Sequence, residues 1–172
     1  RYTGFARFDH LLKPHNIKKQ VLLAPTWRRW LYRTSSNPYE NTGNNFYDSD
    51  YVKTYREFLT DSKLERILEE NDFELVFFPH RNMTSLFEEG IETGKHIHLM
   101  NWRMIDLQKL LMESACMITD YSSTAMDFAY MKKPLVYYQF DEERFRKEHF
   151  EEGYFHYERD GFGPVVKTKE DL

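Results

Sequence analysis

The sequence predicts an α/β domain in which helices cover both faces of a mainly parallel sheet. Short apolar runs are spaced along the chain, amphipathic segments of helical periodicity lie between them, and no internal repeat interrupts the alternation. Such alternation is typical of parallel sheets with right-handed crossovers, whose strands are buried on both faces. With 172 residues, 41% of them hydrophobic, the chain is long enough for one domain with a sizeable core.

Five strands are predicted from the apolar runs, and each run ends near a proline or a polar cluster. The predicted strands are Gln20–Pro25, Phe73–Pro79, His96–Met100, Ala115–Thr119 and Pro134–Tyr138. The segment from Thr26 to Asp50 is rich in Asn, Ser, Gly and Pro toward its end, which predicts a long loop of a functional or mobile kind.

Helices are predicted where apolar residues recur at helical spacing between the strands. These segments are Tyr51–Leu59, Leu64–Leu68, Leu107–Leu111, the stretch after Thr124, and Asp141–Phe150. Ser62 with Glu65 predicts a capping box for the second helix, and Thr124 with Asp127 predicts a cap for the fourth.

Composition and charge exclude several classes of protein. A net charge of -4 and a pI near 6.0 argue against a general nucleic-acid binder, which would carry a basic excess. The single cysteine, Cys116, excludes an internal disulfide and fits a reducing, cytoplasmic location. No apolar run approaches the ~18 residues that span a bilayer. The abrupt start on Arg1 predicts a piece of a longer protein.

Polar residues follow three of the predicted strands. The first strand continues into Thr26-Trp27-Arg28, the second into His80-Arg81-Asn82, and the fourth into Asp120–Thr124. Because ligands bind outside the carboxyl ends of the strands in such sheets, we expect these three ends to open on one edge.

The segment Asp120–Thr124 predicts an anion site. Ser122, Ser123 and Thr124 stand at the start of a predicted helix, where hydroxyls and free backbone N–H groups favour a phosphate. Cationic donors are expected from the neighbouring strand ends, namely Arg28, His80 and Arg81. The alternative is that Ser123 or Thr124 only caps the helix.

Other motifs point to less specific chemistry. No G-x-G-x-x-G follows a strand and no Walker A sequence is present, so these nucleotide motifs are not supported. His96 and His98 share a strand face but lack a third ligand, so no metal site is predicted. Asp120 and Asp127 are better suited to orienting hydroxyls or capping than to holding magnesium. Cys116 lies in an apolar strand and is predicted to be a core residue.

The cluster Trp27–Arg33, "WRRWLYR", mixes aromatic and basic residues. Peripheral contact with a membrane surface is one interpretation. The other is that the aromatic rings pack inward while an arginine binds a local anion, and this second interpretation is the more common behaviour of such clusters.

Several segments together carry a family resemblance. In chain order they are "TGFARFDHL", "LLAPTWR", "FFPHRN", "ITDYSSTAMDFAYMKKPLVYYQFD" and "GYFHYERDGFGPVV". With these segments the sequence resembles the CDP-glycerol glycerophosphotransferase family, which includes teichoic acid primases and polymerases. "TDYSS", with the helix and the "KPLVYY" strand that follow it, is the most specific part.

The resemblance implies a GT-B architecture, of which this chain is the carboxyl-terminal, donor-binding half. Residues 1–172 would form one Rossmann-like domain, and an amino-terminal domain with acceptor contacts and another catalytic histidine would be missing. His80 matches the catalytic histidine, Ser122 and Ser123 match the hydroxyls near the donor phosphates, and Arg28 matches the "PTWR" arginine. The implied reaction transfers glycerol phosphate from a CDP carrier to a lipid-linked or polysaccharide acceptor and releases CMP, without metal or cofactor. This half alone is expected to be inactive.

Two departures from the family leave the donor open. Arg81 follows His80 where the family often has proline, and Glu152 precedes Gly153 where the family often has arginine. The second departure predicts the loss of one cation near the donor. CDP-glycerol, CDP-ribitol and other activated alditol phosphates all remain candidates. The alternatives in function are a GT-B glycosyltransferase that uses a nucleotide sugar, and a nucleotide-binding module without catalysis.

Overall fold

The computed structural model describes residues 4–31, 48–84, 87 and 91–172, and its centre is a six-stranded parallel sheet. The strands are β1 (Lys18–Leu23), β2 (Glu74–Phe77), β3 (Ile97–Leu99), β4 (Ser114–Thr119), β5 (Leu135–Tyr138) and β6 (Val165–Val166). Every neighbouring pair is parallel, which confirms the predicted fold class. The five predicted strands are present, and β6 is an additional strand too short for its periodicity to be recognised.

Seven helices accompany the strands in the described part of the chain. They are α1 (Phe8–Leu11), α2 (Asp50–Leu59), α3 (Ser62–Asn71), α4 (Leu107–Glu113), α5 (Thr124–Tyr130), α6 (Glu142–Glu148) and α7 (Tyr157–Asp160). A 3₁₀ turn over Arg29–Leu31 begins the predicted long loop, whose residues 32–47 lie outside the described ranges. None of these helices is long and apolar enough to cross a bilayer.

The sheet order is β3-β2-β1-β4-β5-β6. The chain adds β2 and β3 on one side of β1, returns to place β4 on the other side, and then adds β5 and β6 beyond β4. The two central strands, β1 and β4, are therefore the point at which the direction of winding reverses. In doubly wound sheets the crevice outside the carboxyl ends of these two strands is where ligands bind. The segments that follow Leu23 and Thr119 border that crevice.

Two hydrophobic cores lie on opposite faces of the sheet. Alternate strand residues point to alternate faces, so Leu23, Leu75 and Phe77 pack against α2 and α3. Their neighbours Leu22 and Val76 pack on the other face, against the apolar residues of α4 and α5. Helices thus cover both faces, as the alternation of elements predicts.

The cap of α3 differs from the prediction by one residue. Asp61, not Ser62, is the residue before the helix, and its Oδ1 accepts a hydrogen bond of 2.8 Å from the Lys63 backbone N–H. Glu65 does not complete a capping box, because its Oε1 instead accepts from the backbone N–H of His96. A carboxylate one position upstream reaches the free N–H groups of the first turn as well as a hydroxyl would.

Candidate functional site at the carboxyl edge of the sheet

The three polar strand ends meet at one edge of the sheet, as expected. The backbone N–H of Thr26 donates to Oδ1 of Asp120 at 2.8 Å, which joins the segments after β1 and β4. The Trp27 and His80 rings stack with their centroids 6.2 Å apart, which joins the segments after β1 and β2. The edge that borders the crevice is therefore built from these three segments.

Arg28 is fully buried beneath this edge, and its guanidinium is engaged within the protein. Nε donates to Asp141 at 2.7 Å, and Nη1 donates to the carbonyl oxygens of Thr26 and Trp27 at 2.8 and 3.5 Å. Nη2 donates to Asp141 at 3.0 Å and lies 2.8 Å from Oδ2 of Asp120 in an ion pair. All three nitrogens have partners, so this geometry gives Arg28 a structural role in place of the predicted phosphate contact.

Asp120 is likewise committed to internal contacts. Its Oδ1 also accepts from the backbone N–H of Tyr121, and its carbonyl oxygen accepts from the Gln139 side chain at 3.0 Å. The side chain is fully buried. A carboxylate held in this way fixes the turn after β4, and it is not exposed to a ligand.

Three aromatic rings enclose the Arg28 guanidinium. The guanidinium carbon lies 4.8 Å from the ring centre of Tyr51, 5.3 Å from that of Tyr121 and 5.0 Å from that of Phe145. Tyr121 stacks on Phe145 with the centroids 3.7 Å apart. These rings exclude water from the ion pairs and tie α2 and α6 to the edge.

His80 is half-buried at the end of β2, with one ring nitrogen bonded locally. Its Nδ1 accepts a hydrogen bond of 3.3 Å from the backbone N–H of Asn82, which assigns the ring proton to Nε2. Desolvation lowers the pKa of His80, and the positive charge of Arg81 lowers it further. At neutral pH the ring is therefore uncharged, and Nε2–H is its donor. The Arg81 side chain is exposed beside it.

His149 is a residue of this edge that the sequence did not single out. It is buried at the end of α6, and its Nδ1 accepts a 3.0 Å hydrogen bond from the Arg29 backbone N–H. Its ring stacks on Phe145 and meets Trp27 edge-on, both at 4.6 Å between centroids. Desolvation, aided by the nearby Arg28 and Arg29 charges, lowers its pKa to about 4. No local pattern distinguishes this histidine from an exposed one, because its partners are remote in sequence.

The turn before α5 differs from the predicted one. The N–H groups of Thr124, Ala125 and Met126 bond to Ser122 and Ser123, so they are not free for a phosphate. Ser122 Oγ also lies 2.8 Å from Oγ1 of Thr124. Neither alternative cap forms, since Ser123 makes no capping bond and Thr124 is the first helical residue. Ser122 provides the local bonds, and the exposed Ser123 hydroxyl remains available.

Asp127, the other half of the predicted cap, is buried and does not reach the start of α5. Its Oδ1 pairs with Nε of Arg7 at 2.9 Å. This ion pair ties the first described helix, α1, to α5. The Phe8 and Tyr130 rings, one from each helix, stack with their centroids 4.4 Å apart and reinforce the same packing. Asp127 therefore fastens the amino-terminal segment and takes no part in the edge.

A cavity of about 260 Å³ opens beside the exposed serine. Ser122, Ser123 and Tyr121 line one side of it, and the other side is formed by α6 and the segment after it, with Arg146, Tyr154, Phe155 and Tyr157. Tyr157 donates a hydrogen bond of 3.1 Å to the Tyr121 carbonyl oxygen, which closes this wall. Arg146 was not among the predicted site residues, since it sits in a run of charged residues typical of a solvated helix face.

The remaining candidates lie in ordinary structural contacts. His96 and His98 both bond to the carboxylate of Glu74, at 3.0 and 2.6 Å. Cys116 is half-buried in β4, where desolvation raises the pKa of its thiol. In the cluster Trp27–Arg33, the Trp30 ring packs against the Arg144 guanidinium at 4.7 Å. Trp27 and Trp30 are partly buried and pack against the hydrophobic core, as the second interpretation of this cluster predicts for its rings. Residues 32 and 33 lie outside the described ranges.

Comparison with known proteins identifies the family. The model of the CDP-Glycerol:Poly(glycerophosphate) glycerophosphotransferase family matches residues 6–172. The chain belongs to this family. Relatives within it include the minor teichoic acid biosynthesis protein GgaB of Bacillus subtilis (strain 168), which is 33% identical over 98% of this chain and 18% of its own length. A teichoic acid poly(glycerol phosphate) polymerase of the same organism is 30% identical over 90% of this chain and 18% of its own length.

The fold agrees with solved structures of the wall teichoic acid polymerase TagF. One superposes with a TM-score of 0.59 at 20% identity, over 96% of this chain and 35% of that chain. A histidine variant of TagF that was soaked with CDPG gives the same TM-score and identity, over 99% of this chain and 37% of that chain. The chain thus spans about a fifth to a third of the length of the relatives and structures it matches.

Proposed function

We propose that this chain is the donor-binding domain of a longer glycerophosphotransferase of teichoic acid synthesis. The observation that carries the proposal is the exposed Ser123 hydroxyl, which lines a cavity next to the segment after β4, one of the two strands at the reversal point, in a member of this family. Rossmann-like domains bind nucleotides at that point. The donor is a CDP-activated alditol phosphate, and the acceptor is a lipid-linked or polysaccharide hydroxyl.

The residues of the edge divide into two groups by their accessibility. Ser123 is exposed and Ser122 and His80 are partly exposed, so these three are the proposed contacts to the donor phosphates. Arg81, exposed beside His80, adds positive charge. Arg28 and Asp120 are too deeply buried to contact the donor. Their ion pair instead positions the turns after β1 and β4, the second of which carries the two serines.

The transfer breaks one phosphorus–oxygen bond and forms another. The acceptor hydroxyl attacks the distal phosphorus, the bond to the bridging oxygen breaks, and CMP leaves with the bonding electron pair. Such a step depends mainly on positioning and on neutralising charge. The uncharged His80 ring suits donation from Nε2–H to an oxygen of the donor or of the leaving CMP. The acceptor proton then passes to a base outside this domain.

The nucleotide preference of the full-length protein tests this proposal. Titration calorimetry with CDP-glycerol, CDP-ribitol, CMP and UDP separates the candidate functions. We expect a CDP-alditol and CMP to bind, and UDP to bind at least about tenfold more weakly, which corresponds to ~1.4 kcal/mol. Preferential binding of UDP would favour a nucleotide-sugar glycosyltransferase. Binding of CDP-alditols without CMP release in an assay with acceptor would favour a module without catalysis.

Peripheral contact with a membrane stays a prediction. A lipid-linked acceptor would bring the protein to a membrane surface, and the basic residues near Trp27 are the sequence feature that favours such contact.

A further inference from the structure

One cation beside the proposed donor site has no acidic partner among the residues that the structure describes. Arg146 lies in α6, and its side chain lines the cavity that Ser122 and Ser123 also line. Among the described residues that border this cavity it is the cationic one. Its guanidinium lies against the rings of Tyr121 and Tyr157, with the guanidinium carbon 5.7 and 5.6 Å from the ring centres.

The Nε atom of Arg146 is buried and makes no hydrogen bond within the described part of the chain. A buried charged donor without an acceptor is costly, and such donors are rare in folded proteins unless a ligand or water completes them. On its other side Arg146 borders a second cavity lined by Glu142, Glu143 and Glu152, yet none of these carboxylates pairs with it. Nε itself is closed to solvent, so an anion would meet the guanidinium through the part that lines the cavity, which forms no ion pair with any described carboxylate.

Neighbouring arginines behave differently. Arg144, two positions before Arg146 on the same helix, is bonded to Glu148 through Nε at 3.1 Å. Arg159 is bonded to Asp160 at 2.9 Å. These pairs sit at the surface, whereas the Nε atom of Arg146 is held below it by two aromatic rings. Arg146 thus differs from these two arginines in having no carboxylate partner among the described residues.

We propose that Arg146 binds a phosphate of the donor. Its charge would replace the cation that was expected to be lost because Glu152 stands where the family often has arginine. This inference rests on the proposed function. A guanidinium presents N–H groups in a planar fork that matches phosphate oxygens, and the serine hydroxyls across the cavity complete the set of donors. Glu152 is drawn away from the cavity by a hydrogen bond of 2.8 Å to His156. A pyrophosphate ester is the anion of matching chemistry and charge.

Titration of the full-length protein with CDP-glycerol, cytidine and inorganic pyrophosphate tests this assignment. For Arg146→Gln we expect CDP-glycerol and pyrophosphate to bind at least about tenfold more weakly, because a hydrogen bond to a charged group is lost. Cytidine, which has no phosphate, should bind within about twofold of wild type. Arg146→Lys should retain part of the affinity through its charge. Arg144→Gln, on the same helix, is the matched control and should behave as wild type.

Two outcomes would overturn the assignment. Arg146 acts only as packing if Arg146→Gln lowers the melting temperature while the folded protein binds CDP-glycerol as wild type does. It contacts the base and not the phosphate if cytidine and CDP-glycerol weaken equally. Failure of the wild-type protein to bind CDP-glycerol or CMP is a separate result, because it contradicts the proposed function itself before any variant is compared.

Discussion

At the scale of single residues, Arg28 holds together the edge at which three strands end. Its guanidinium reaches carboxylates from the segments after β4 and β5 and carbonyl oxygens from the segment after β1. The sequence shows an arginine at a strand end. It cannot show that Asp141, 113 positions away, will accept the hydrogen bond from that arginine. Burial, which decides between a ligand contact and a structural ion pair, is a property of the assembled edge.

Removal of the Arg28 charge should destabilise the domain strongly. In Arg28→Met, Asp120 and Asp141 would remain buried without their partner, and breaking such a pair costs about 3–5 kcal/mol. Denaturant unfolding measures this loss. Arg66→Met is the matched control, since Arg66 is exposed on α3 and its pair with Glu70 is loose at 3.7 Å. Equal midpoints for the two variants would refute the structural role of Arg28.

His80 is expected to affect turnover and not stability. In the full-length enzyme His80→Ala should lower turnover about a hundredfold or more, the usual effect of losing a proton donor or charge stabiliser. Its free energy of unfolding should change by less than about 1 kcal/mol, because the ring is only half-buried. His10→Ala, an exposed histidine, is the control. Turnover like that of wild type would remove His80 from the mechanism.

His149 should make stability depend on pH. Its pKa falls from the ordinary 6.5 to about 4 on folding, so between these values the unfolded chain binds a proton that the folded domain does not. Stability is therefore complete above about pH 6.5, declines as the pH falls toward 4, and levels off below. At ~1.4 kcal/mol per unit, wild type should lose roughly 2–3 kcal/mol relative to His149→Gln between pH 7 and pH 4. If the difference in free energy of unfolding between wild type and His149→Gln is the same at pH 7 and pH 4, the lowered pKa of His149 is refuted.

At the scale of elements, the strands were predictable from the sequence and the helix caps were not. A strand buried on both faces must be a continuous apolar run, so the five longer strands are visible, whereas two residues such as β6 carry no pattern. Caps depend on which backbone N–H groups a side chain reaches. Asp61 and Ser62 both suit that role by type, and only the backbone conformation decides between them.

The position of the α3 cap can be tested with two neighbouring substitutions. Asp61→Ala removes the acceptor for the Lys63 N–H and the ion pair with Lys169, so we expect a loss of ~0.5–2 kcal/mol in the free energy of unfolding. Ser62→Ala, already inside the helix, should change it by no more than ~0.5 kcal/mol. The reverse order in a denaturant melt would restore the capping box predicted from the sequence.

At the scale of the whole molecule, the strand order places the candidate site. The direction of winding reverses between β1 and β4, so segments that are 94 positions apart become neighbours through the Thr26–Asp120 hydrogen bond. The polar strand ends and their common edge follow from the sequence pattern, because the carboxyl ends of parallel strands share an edge. Arg146 and His149 did not follow from it, because they reach the edge from α6, whose charged sequence looks like a solvated face.

The central claim is that Ser123 donates to a donor phosphate, and one substitution tests it most directly. Ser123→Ala in the full-length protein removes a hydroxyl that makes no capping bond. Calorimetry should show CDP-glycerol bound at least about tenfold more weakly, since a hydrogen bond to a charged group contributes ~1.5–3 kcal/mol. Cytidine affinity and the denaturant midpoint should stay as in wild type. Unchanged CDP-glycerol binding, or equal weakening of cytidine, would contradict the account.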